Sequence, residues 1–324
     1  MMKKYLVILF IVQVIQIVKI FGQDINNKII YYDSTWKETD KENASFYRVI
    51  KDYAKVQSTY HVIDYFISGV KQMEGQFNEP EAKSKQGRFV WYYENGKKKV
   101  ESNFIRNKRL GEHKTWYEFR KPKLVGEYFV DKKNPNLNPE ELKIISFWNE
   151  AGKQTVVNGN GDYYNHSDSD HASHKGKVKN GKKEGIWTGY SEKHCLTYEE
   201  FYEEGKLKKG KSVDDSGKKF KYKKAIIGSR PIGGINAFNQ YLFNNLKYPI
   251  GALENGIEGE VYLEFNIQID GTIEGVKVIR SLGHGFDEEA LRVIRDAKKW
   301  LPGKYRGKKT EQRVILPIDF RVKK

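Results

Sequence analysis

Side chains that could bind a metal ion are concentrated between residues 166 and 174. This stretch contains three histidines and two aspartates, and imidazole and carboxylate groups at such a density can bind a divalent cation. The five residues are His166, Asp168, Asp170, His171 and His174. Their spacing matches no strong ligand signature, and the serines and alanine between them are typical of a solvated loop. We therefore predict no metal site here.

A nucleophilic side chain could also support catalysis. Cys195 is the single cysteine, so it has no partner for an intrachain disulfide, and nothing around it indicates an activated thiolate. We expect it to be a half-buried strand residue. The sequence also contains no nucleophile–base spacing and no phosphate-binding glycine loop, and 231–234 (Pro-Ile-Gly-Gly) indicates a linker. We predict no catalytic residues, no cofactor and no enzymatic activity.

The N-terminus indicates export. Lys3 and Lys4 precede a short apolar run from Tyr5 to Val18, a pattern typical of a secretory signal peptide, which we assign to residues 1–22. An uncleaved anchor over the same residues is the alternative, because Lys19 could snorkel. The chain has a net charge of +16, but an exported protein does not meet the nucleoid. We therefore expect no nucleic-acid partner.

The middle of the chain, residues 24–222, is a repeat array. Gly87 and Gly111 begin aromatic-rich segments 24 residues apart, and Gly161 and Gly185 do the same. Turn signals lie between such segments, at Asn95-Gly96, Asn180-Gly181, Glu204-Gly205 and Ser216-Gly217. This pattern predicts stacked β-hairpins that bury their aromatic side chains against their neighbours, with a loop at Asn134–Pro139. The units from Gly69 to Tyr222 resemble MORN-type repeats, in the divergent form found in YwqK-like antitoxin proteins.

After a predicted linker at 223–234, residues 235–322 show the periodicities of an α+β domain. One strand alternates apolar and polar residues, a helix has an apolar face, and a final strand alternates again. The apolar positions are Val261, Leu263, Phe265, Ile267 and Ile269; Phe286, Ala290, Val293, Ile294 and Ala297; and Val314, Leu316, Ile318 and Phe320. Pro317 lacks an N–H, so the final strand is expected at a sheet edge. The predicted fold is mostly β, with hairpin repeats followed by a three-stranded antiparallel sheet and two helices.

Five short motifs follow one another along this last domain. They are Tyr248-Pro249, Gly256–Gly259, Asp270-Gly271, Phe286–Leu291 and Trp300–Gly303. From Arg230 to Arg321 the chain resembles the C-terminal domain of TonB, the energy transducer of Gram-negative outer-membrane transport. The motif residues carried over from that family are Tyr248, Pro249, Gly259, Asp270, Gly271, Trp300, Pro302 and Gly303.

The resemblance implies a partner and a binding mode. In that family the last strand pairs with a short receptor segment, the TonB box, by β-strand addition. Here the pairing strand would comprise Arg313, Val314, Ile315, Leu316, Pro317, Ile318 and Asp319. The expected partner is an outer-membrane TonB-dependent receptor, together with the inner-membrane proton channel if residues 1–22 remain as an anchor.

Two functions follow from the resemblance, and they differ in whether force is transmitted. The first is energy-coupled transport, with the repeat array replacing the Pro-rich spacer of known transducers. The second is a periplasmic scaffold or recognition protein that binds through both modules without transmitting force. The expected location is the periplasm, or alternatively the inner membrane as a single-pass protein facing the periplasm.

Overall fold

The computed structural model describes residues 26–129, 141–167 and 172–321. The predicted signal peptide or anchor at 1–22 lies outside these residues, as do the predicted loop at 134–139 and Asp168, Asp170 and His171 of the His/Asp cluster. Within the described ranges no helix has both the length and the apolar character needed to cross a membrane. The described chain forms two compact units: residues 26–163 with 178–182, and residues 164–177 with 183–321.

In the first unit each strand pairs antiparallel with its neighbours in sequence. The strands are β1 (Lys28–Tyr32), β2 (Phe46–Ile50), β3 (Tyr60–Phe66), β4 (Lys71–Phe77), β5 (Lys85–Tyr92), β6 (Lys98–Ile105), β7 (Lys108–Trp116), β8 (Pro122–Phe129), β9 (Glu141–Trp148), β10 (Gln154–Val157) and the start of β11 (Asn160–Ser167). A 3-10 turn at Lys41–Asn43 separates the first two. The predicted hairpin array is confirmed.

The hairpin pattern continues in the second unit. Its repeat strands are β12 (Ala172–Lys179), β13 (Lys182–Ser191), β14 (Leu196–Glu203), β15 (Lys206–Asp214) and β16 (Lys219–Tyr222), of which residues 178–182 belong to the first unit. The pairs β13–β14, β14–β15 and β15–β16 are antiparallel.

Aromatic rings lie flat over strand glycines in both units. A Cβ added to Gly75 would lie 2.4 Å from the Phe89 ring, one added to Gly176 would lie 2.4 Å from the Trp187 ring, and Gly210 stands in the same relation to Tyr222 at 2.3 Å. Phe89 and Trp187 are accordingly almost fully buried. Each of these aromatic side chains is thus covered by the backbone of the preceding strand, which explains why an isolated strand could not bury it.

Two kinds of short turn join many of the described strands. Five tight turns place both central residues at positive φ: Arg106-Asn107, Asn158-Gly159, Asn180-Gly181, Glu204-Gly205 and Arg306-Gly307. In the wider kind the first residue's N–H donates to the carbonyl four residues on, and only the fourth residue has positive φ. Asn95-Gly96 and Ser216-Gly217 belong to wider turns, so both predicted turns are present with only glycine in the left-handed region.

Arg120 occupies the left-handed position of the wider turn Tyr117–Lys121, with a φ of 67°. A non-glycine residue there costs about 1–2 kcal/mol, and the greater unfolded-chain entropy of glycine offsets part of that. We therefore expect Arg120→Gly to raise the free energy of unfolding by about 0.5–1 kcal/mol, measured by urea denaturation. Phe119→Gly, one residue earlier in the turn, is the matched control and should destabilise. A loss of stability in Arg120→Gly would contradict the turn geometry.

The C-terminal part of the second unit is an α+β domain. Its helices are α1 (Gly234–Asn245), α2 (Ile250–Glu254, a little over one turn) and α3 (Phe286–Arg295), and its strands are β17 (Ile226–Ile227), β18 (Arg230–Pro231), β19 (Gly259–Ile267), β20 (Ile273–Arg280), β21 (Trp300–Leu301), β22 (Gly303–Tyr305), β23 (Lys308–Thr310) and β24 (Gln312–Phe320). The main sheet has three strands in the order β20-β19-β24. The predicted fold class is confirmed.

Side-chain alternation in β19 explains how the helices cover this sheet. Val261, Leu263, Phe265 and Ile267 are buried and pack with Phe286, Ala290, Val293 and Ile294 of α3. Two details of the prediction were wrong. Strand β19 ends at Ile267, so Ile269 lies in the following turn and is 58% exposed. Helix α3 ends at Arg295, so Ala297 packs against the core from beyond the helix.

The interval 223–234, predicted as a linker, contains β17 and β18 and the first residue of α1. These two short strands pair antiparallel with β22 and β21 respectively. The segment is therefore fastened to the domain that follows it, while its role as a boundary between functional modules stays a prediction.

Candidate functional site

Strand β24 forms one edge of the three-stranded sheet. Its nine residues pair in continuous antiparallel register with β19, from Gly259↔Phe320 to Ile267↔Gln312. In the described part of the chain β24 pairs with β19 alone. All seven residues of the predicted pairing segment, Arg313, Val314, Ile315, Leu316, Pro317, Ile318 and Asp319, lie within this strand.

Pro317 indicates which backbone groups of β24 face the open edge. In an antiparallel ladder, alternate residues direct their N–H and C=O groups to opposite neighbours. A proline is accommodated where its missing N–H would face away from the paired strand. Because the pairing with β19 continues unbroken through Tyr262↔Pro317, Pro317 belongs to the outward-facing set, which then also contains Arg313, Ile315 and Asp319.

The side chains of β24 alternate between the two sheet faces. Ile318 and Phe320 are buried in the core, and Val314 and Leu316 are partly buried against it. Arg313, Ile315, Pro317 and Asp319 are exposed on the other face. Ile315 is 51% exposed, although it is a large apolar residue in the middle of an edge strand. An added strand would therefore meet main-chain donors and acceptors together with an apolar side chain.

A carboxylate on the neighbouring strand ties Arg313 to the sheet. Glu264 of β19 forms an ion pair with Lys277 of β20 at 2.8 Å and contacts the Arg313 guanidinium. The hydrogen bond from Lys277, with the charge and hydrogen bond of Arg313, lowers the pKa of Glu264. Glu264 is thus ionised at neutral pH, and its contacts link β19 to both β20 and β24 on the outer face of the sheet.

The carried-over motif residues lie in the scaffold that supports the edge strand. Asp270 accepts hydrogen bonds from the backbone and hydroxyl of Thr272 and from Lys299, which lower its pKa. Gly271 has a φ of +90°, and a Cβ there would lie 2.1 Å from the carbonyl oxygen of Trp300. The Trp300 N–H in turn donates to Gly271 at 2.8 Å.

The other motif residues pack around the same core. The Tyr248 hydroxyl donates to the Ile257 carbonyl at 2.5 Å, and its ring meets Phe286 and Phe320 edge-on. Pro249 precedes α2, Gly259 opens β19 and lies close to Leu282, Pro302 lies between β21 and β22, and Gly303 lies against the Gln312 side chain. These residues hold the sheet and helices together rather than lining its open edge.

Residues 244–322 match the family model of the Gram-negative bacterial TonB protein C-terminal domain. This family is transport-associated and non-enzymatic, its members interact with outer-membrane receptors, and they belong to the cell envelope. No curated protein matches the chain. The family match does not extend to the repeat array, so its MORN-like identity stays a prediction.

A buried ion pair joins the TonB-type domain to the last repeat hairpins within the second unit. Arg306, in the turn between β22 and β23, donates from Nε to Glu200 of β14 at 2.9 Å. Arg306 is 6% exposed and Glu200 is 1% exposed. The hydroxyls of Tyr202 and Tyr222 also donate to this carboxylate, at 2.9 and 3.0 Å. Glu200 thus accepts hydrogen bonds from three side chains, which offset the cost of burying its charge.

The turn that contains Arg306 makes further contacts through its backbone and through the Tyr305 ring. The Arg306 carbonyl accepts a hydrogen bond from Ser212 of β15 at 2.7 Å. The guanidinium lies 3.7 Å from the centre of the Tyr198 ring, and the Tyr305 ring stacks on His194 at 3.9 Å. We call this set, Glu200, Arg306 and the residues that contact them, the seam. None of these contacts was predicted from the sequence. The Arg306-Gly307 pair between two short β-rich runs is the sequence feature that could have indicated the turn.

Lys183 lies beside the seam and makes the stability of the second unit depend on pH. Its ammonium lies 4.5 Å from the Trp187 ring centre and 4.8 Å from that of Tyr202. Burial lowers its pKa from 10.5 to about 8, against the opposing effect of Glu200. The folded state therefore binds fewer protons than the unfolded state between these values, so this lysine makes stability rise with pH from about 8 to 10.

Lys183→Met is expected to remove this dependence. Below pH 8 the variant should be more stable than the parent by about 1–2 kcal/mol, because the cost of burying the charge exceeds the loss of two cation–π contacts and of the attraction to Glu200. The difference should shrink as the pH approaches 10. Urea denaturation of both proteins across this pH range checks the prediction, and a constant difference would refute it.

The described members of the predicted His/Asp cluster do not assemble a ligand set. His174 contacts the Tyr198 hydroxyl. Among the residues that the structure describes, no group of three or more His, Cys, Asp or Glu side chains could hold a metal ion. Cys195, expected to be half-buried, is instead exposed in the turn between β13 and β14, where its Sγ lies 3.2 Å from the Glu192 carbonyl oxygen.

Proposed function

We propose that this protein is an exported envelope protein that binds an outer-membrane TonB-dependent receptor and supports energy-coupled transport. A receptor segment adds to the open edge of β24 and extends the three-stranded sheet by one strand. Main-chain hydrogen bonds give the affinity, and alternate side chains give the selectivity. The observation that carries the proposal is the edge position of β24 in a domain that matches the TonB C-terminal family.

The seam supports a role in transmitting force rather than in binding alone. The turn at Arg306 lies seven residues before Arg313, and it is joined to β14 by a buried ion pair and to β15 by a hydrogen bond from Ser212 to the Arg306 carbonyl. Tension applied to β24 therefore passes into the last repeat hairpins over a short stretch of chain. A flexible spacer at this point would instead absorb it as chain extension.

Photo-crosslinking in cells tests the receptor proposal. A photoreactive residue at Ile315 is expected to crosslink to the plug of an outer-membrane receptor, because this position is exposed and belongs to the outward-facing set. Ile279 on β20 is the matched control, since it is 45% exposed but lies on the opposite edge of the same sheet. Absence of a receptor adduct at Ile315, or equal adducts at both positions, would refute strand addition at β24.

The N-terminus of the mature protein separates direct transduction from the scaffold function. Direct coupling to the inner-membrane proton channel requires that residues 1–22 remain as an anchor. N-terminal sequencing of the protein purified from cells decides this. A mature chain that starts at Gln23 or Asp24 would rule out direct transduction and leave receptor binding intact.

A further inference from the structure

An open cleft of about 530 Å³ lies beside the start of β24 in the second unit. One wall is the turn Lys193–Cys195 between β13 and β14, which belongs to the repeat array. The other wall contains Lys308, Thr310, Glu311 and Arg313, which lead into the pairing strand, together with Asn266 of β19. The cleft is therefore built jointly by the last repeats and the TonB-type domain, and it opens directly beside the edge of β24.

Cationic side chains dominate the lining of this cleft. Lys193, Lys308 and Arg313 face a single lining carboxylate, Glu311. In the described ranges Lys193 makes no ion pair. Arg313 shares the carboxylate of Glu264 with Lys277, so one of these two positive charges is uncompensated. The cleft thus presents excess positive charge to solvent.

Contacts between the side chains around the cleft hold its two walls in place, and the positive charge there lowers the pKa of a neighbouring histidine. Burial and the positive charges of Lys193, Lys308 and Arg306 lower the pKa of His194. The His194 ring stacks on Tyr305, and its carbonyl accepts a hydrogen bond from Lys308 at 3.0 Å. Lys308 is also 3.8 Å from Asp214. The two walls are joined by these contacts, so the cleft is formed before any ligand enters.

We propose that this cleft binds acidic side chains of the peptide segment that flanks the strand added to β24. This inference rests on the proposed function and adds the chemistry of the partner: an extended segment followed or preceded by aspartate or glutamate. Arg313 belongs both to the edge and to the cleft, so a strand paired with β24 delivers its flanking residues there. The repeat array then contributes to the choice of receptor through Lys193.

Two labelled synthetic peptides test the inference. Both contain the same alternating valine–threonine segment, flanked at each end by aspartates in one peptide and by asparagines in the other. Fluorescence anisotropy with the full mature chain at low salt should show about tenfold tighter binding of the aspartate peptide, with the difference falling as salt is added. Lys193→Glu should abolish this preference. Lys298→Glu, an equal charge reversal at an exposed lysine outside the cleft, should keep it.

Ile315→Pro separates failure of the cleft from failure of strand addition. If both peptides bind wild type equally and both are weakened by Ile315→Pro, the cleft inference is overturned and strand addition stands. If the aspartate preference is lost in Lys193→Glu but Ile315→Pro has no effect, the cleft stands and strand addition is overturned. A preference reduced equally by Lys193→Glu and Lys298→Glu overturns the cleft as its source, and binding of neither peptide overturns both.

Discussion

Replacing Arg306 by leucine is expected to lower the free energy of unfolding of the second unit by about 3–5 kcal/mol. The substitution leaves the carboxylate of Glu200 buried, at 1% exposure, with the Tyr202 and Tyr222 hydroxyls as its remaining hydrogen-bond donors and Lys183 as the nearby positive charge. Removing one partner of a buried ion pair is among the most costly single changes in a protein. The contact of the guanidinium with the Tyr198 ring is lost at the same time.

Urea denaturation of the full chain measures this effect, and hydrogen exchange on β14 and β22 locates it. Lys304→Leu is the matched control, because Lys304 is an exposed cation in the same hairpin and its loss should change stability by less than about 0.5 kcal/mol. The double variant Arg306→Leu with Glu200→Gln should be more stable than Arg306→Leu alone, since a neutral amide costs less to bury than an unpaired carboxylate. A double variant less stable than the single one would contradict this account of the seam.

Ile315→Pro is expected to reduce receptor capture about tenfold or more while leaving the domain folded. Proline removes one N–H from the outward-facing set and places its ring at the edge where the added strand would lie. The ladder to β19 uses the other set of backbone groups, so it stays intact. Ile315→Ala keeps the N–H and removes most of the side chain, and it should retain most of the binding if main-chain bonds dominate.

Leu316→Pro tests which backbone groups of β24 face β19 and which face the open edge. It removes an N–H directed to β19, so it should destabilise the domain, whereas Ile315→Pro should not. Receptor recovered with the full chain from solubilised envelopes gives the binding readout, and circular dichroism on thermal unfolding gives the fold readout. If Ile315→Pro unfolds the domain and Leu316→Pro does not, the edge assignment is reversed.

Side-chain periodicity was sufficient to predict the main strands and the amphipathic helix of the TonB-type domain, but not its short strands. The alternation from Val261 to Ile267 and the helical spacing from Phe286 to Ile294 depend only on which face a residue occupies within its own strand or helix. The glycines spaced 24 residues apart, such as Gly87 and Gly111, likewise mark positions of positive φ, which few other residues adopt. These features are local, so the sequence carries them directly.

Contacts between distant residues could not be predicted in this way. Glu200 and Arg306 are separated by 106 residues, and charged residues at both positions are equally compatible with a solvated surface. Their burial depends on how the turn between β22 and β23 packs against β14 and β15. The exposure of Ile269 depends in the same way on where β19 ends, which its own alternation does not show.

The sequence by itself thus determined the hairpin array, the α+β domain and the edge strand with its proline, because each follows from local periodicity and backbone preference. Only the tertiary structure decided that the last repeats and the TonB-type domain share a buried ion pair, and that Lys193 and Arg313 line one cleft. The physical reason is that burial and electrostatic pairing are set by the packing of segments far apart in the chain, whereas strand alternation and turn geometry are set by neighbours within a few residues.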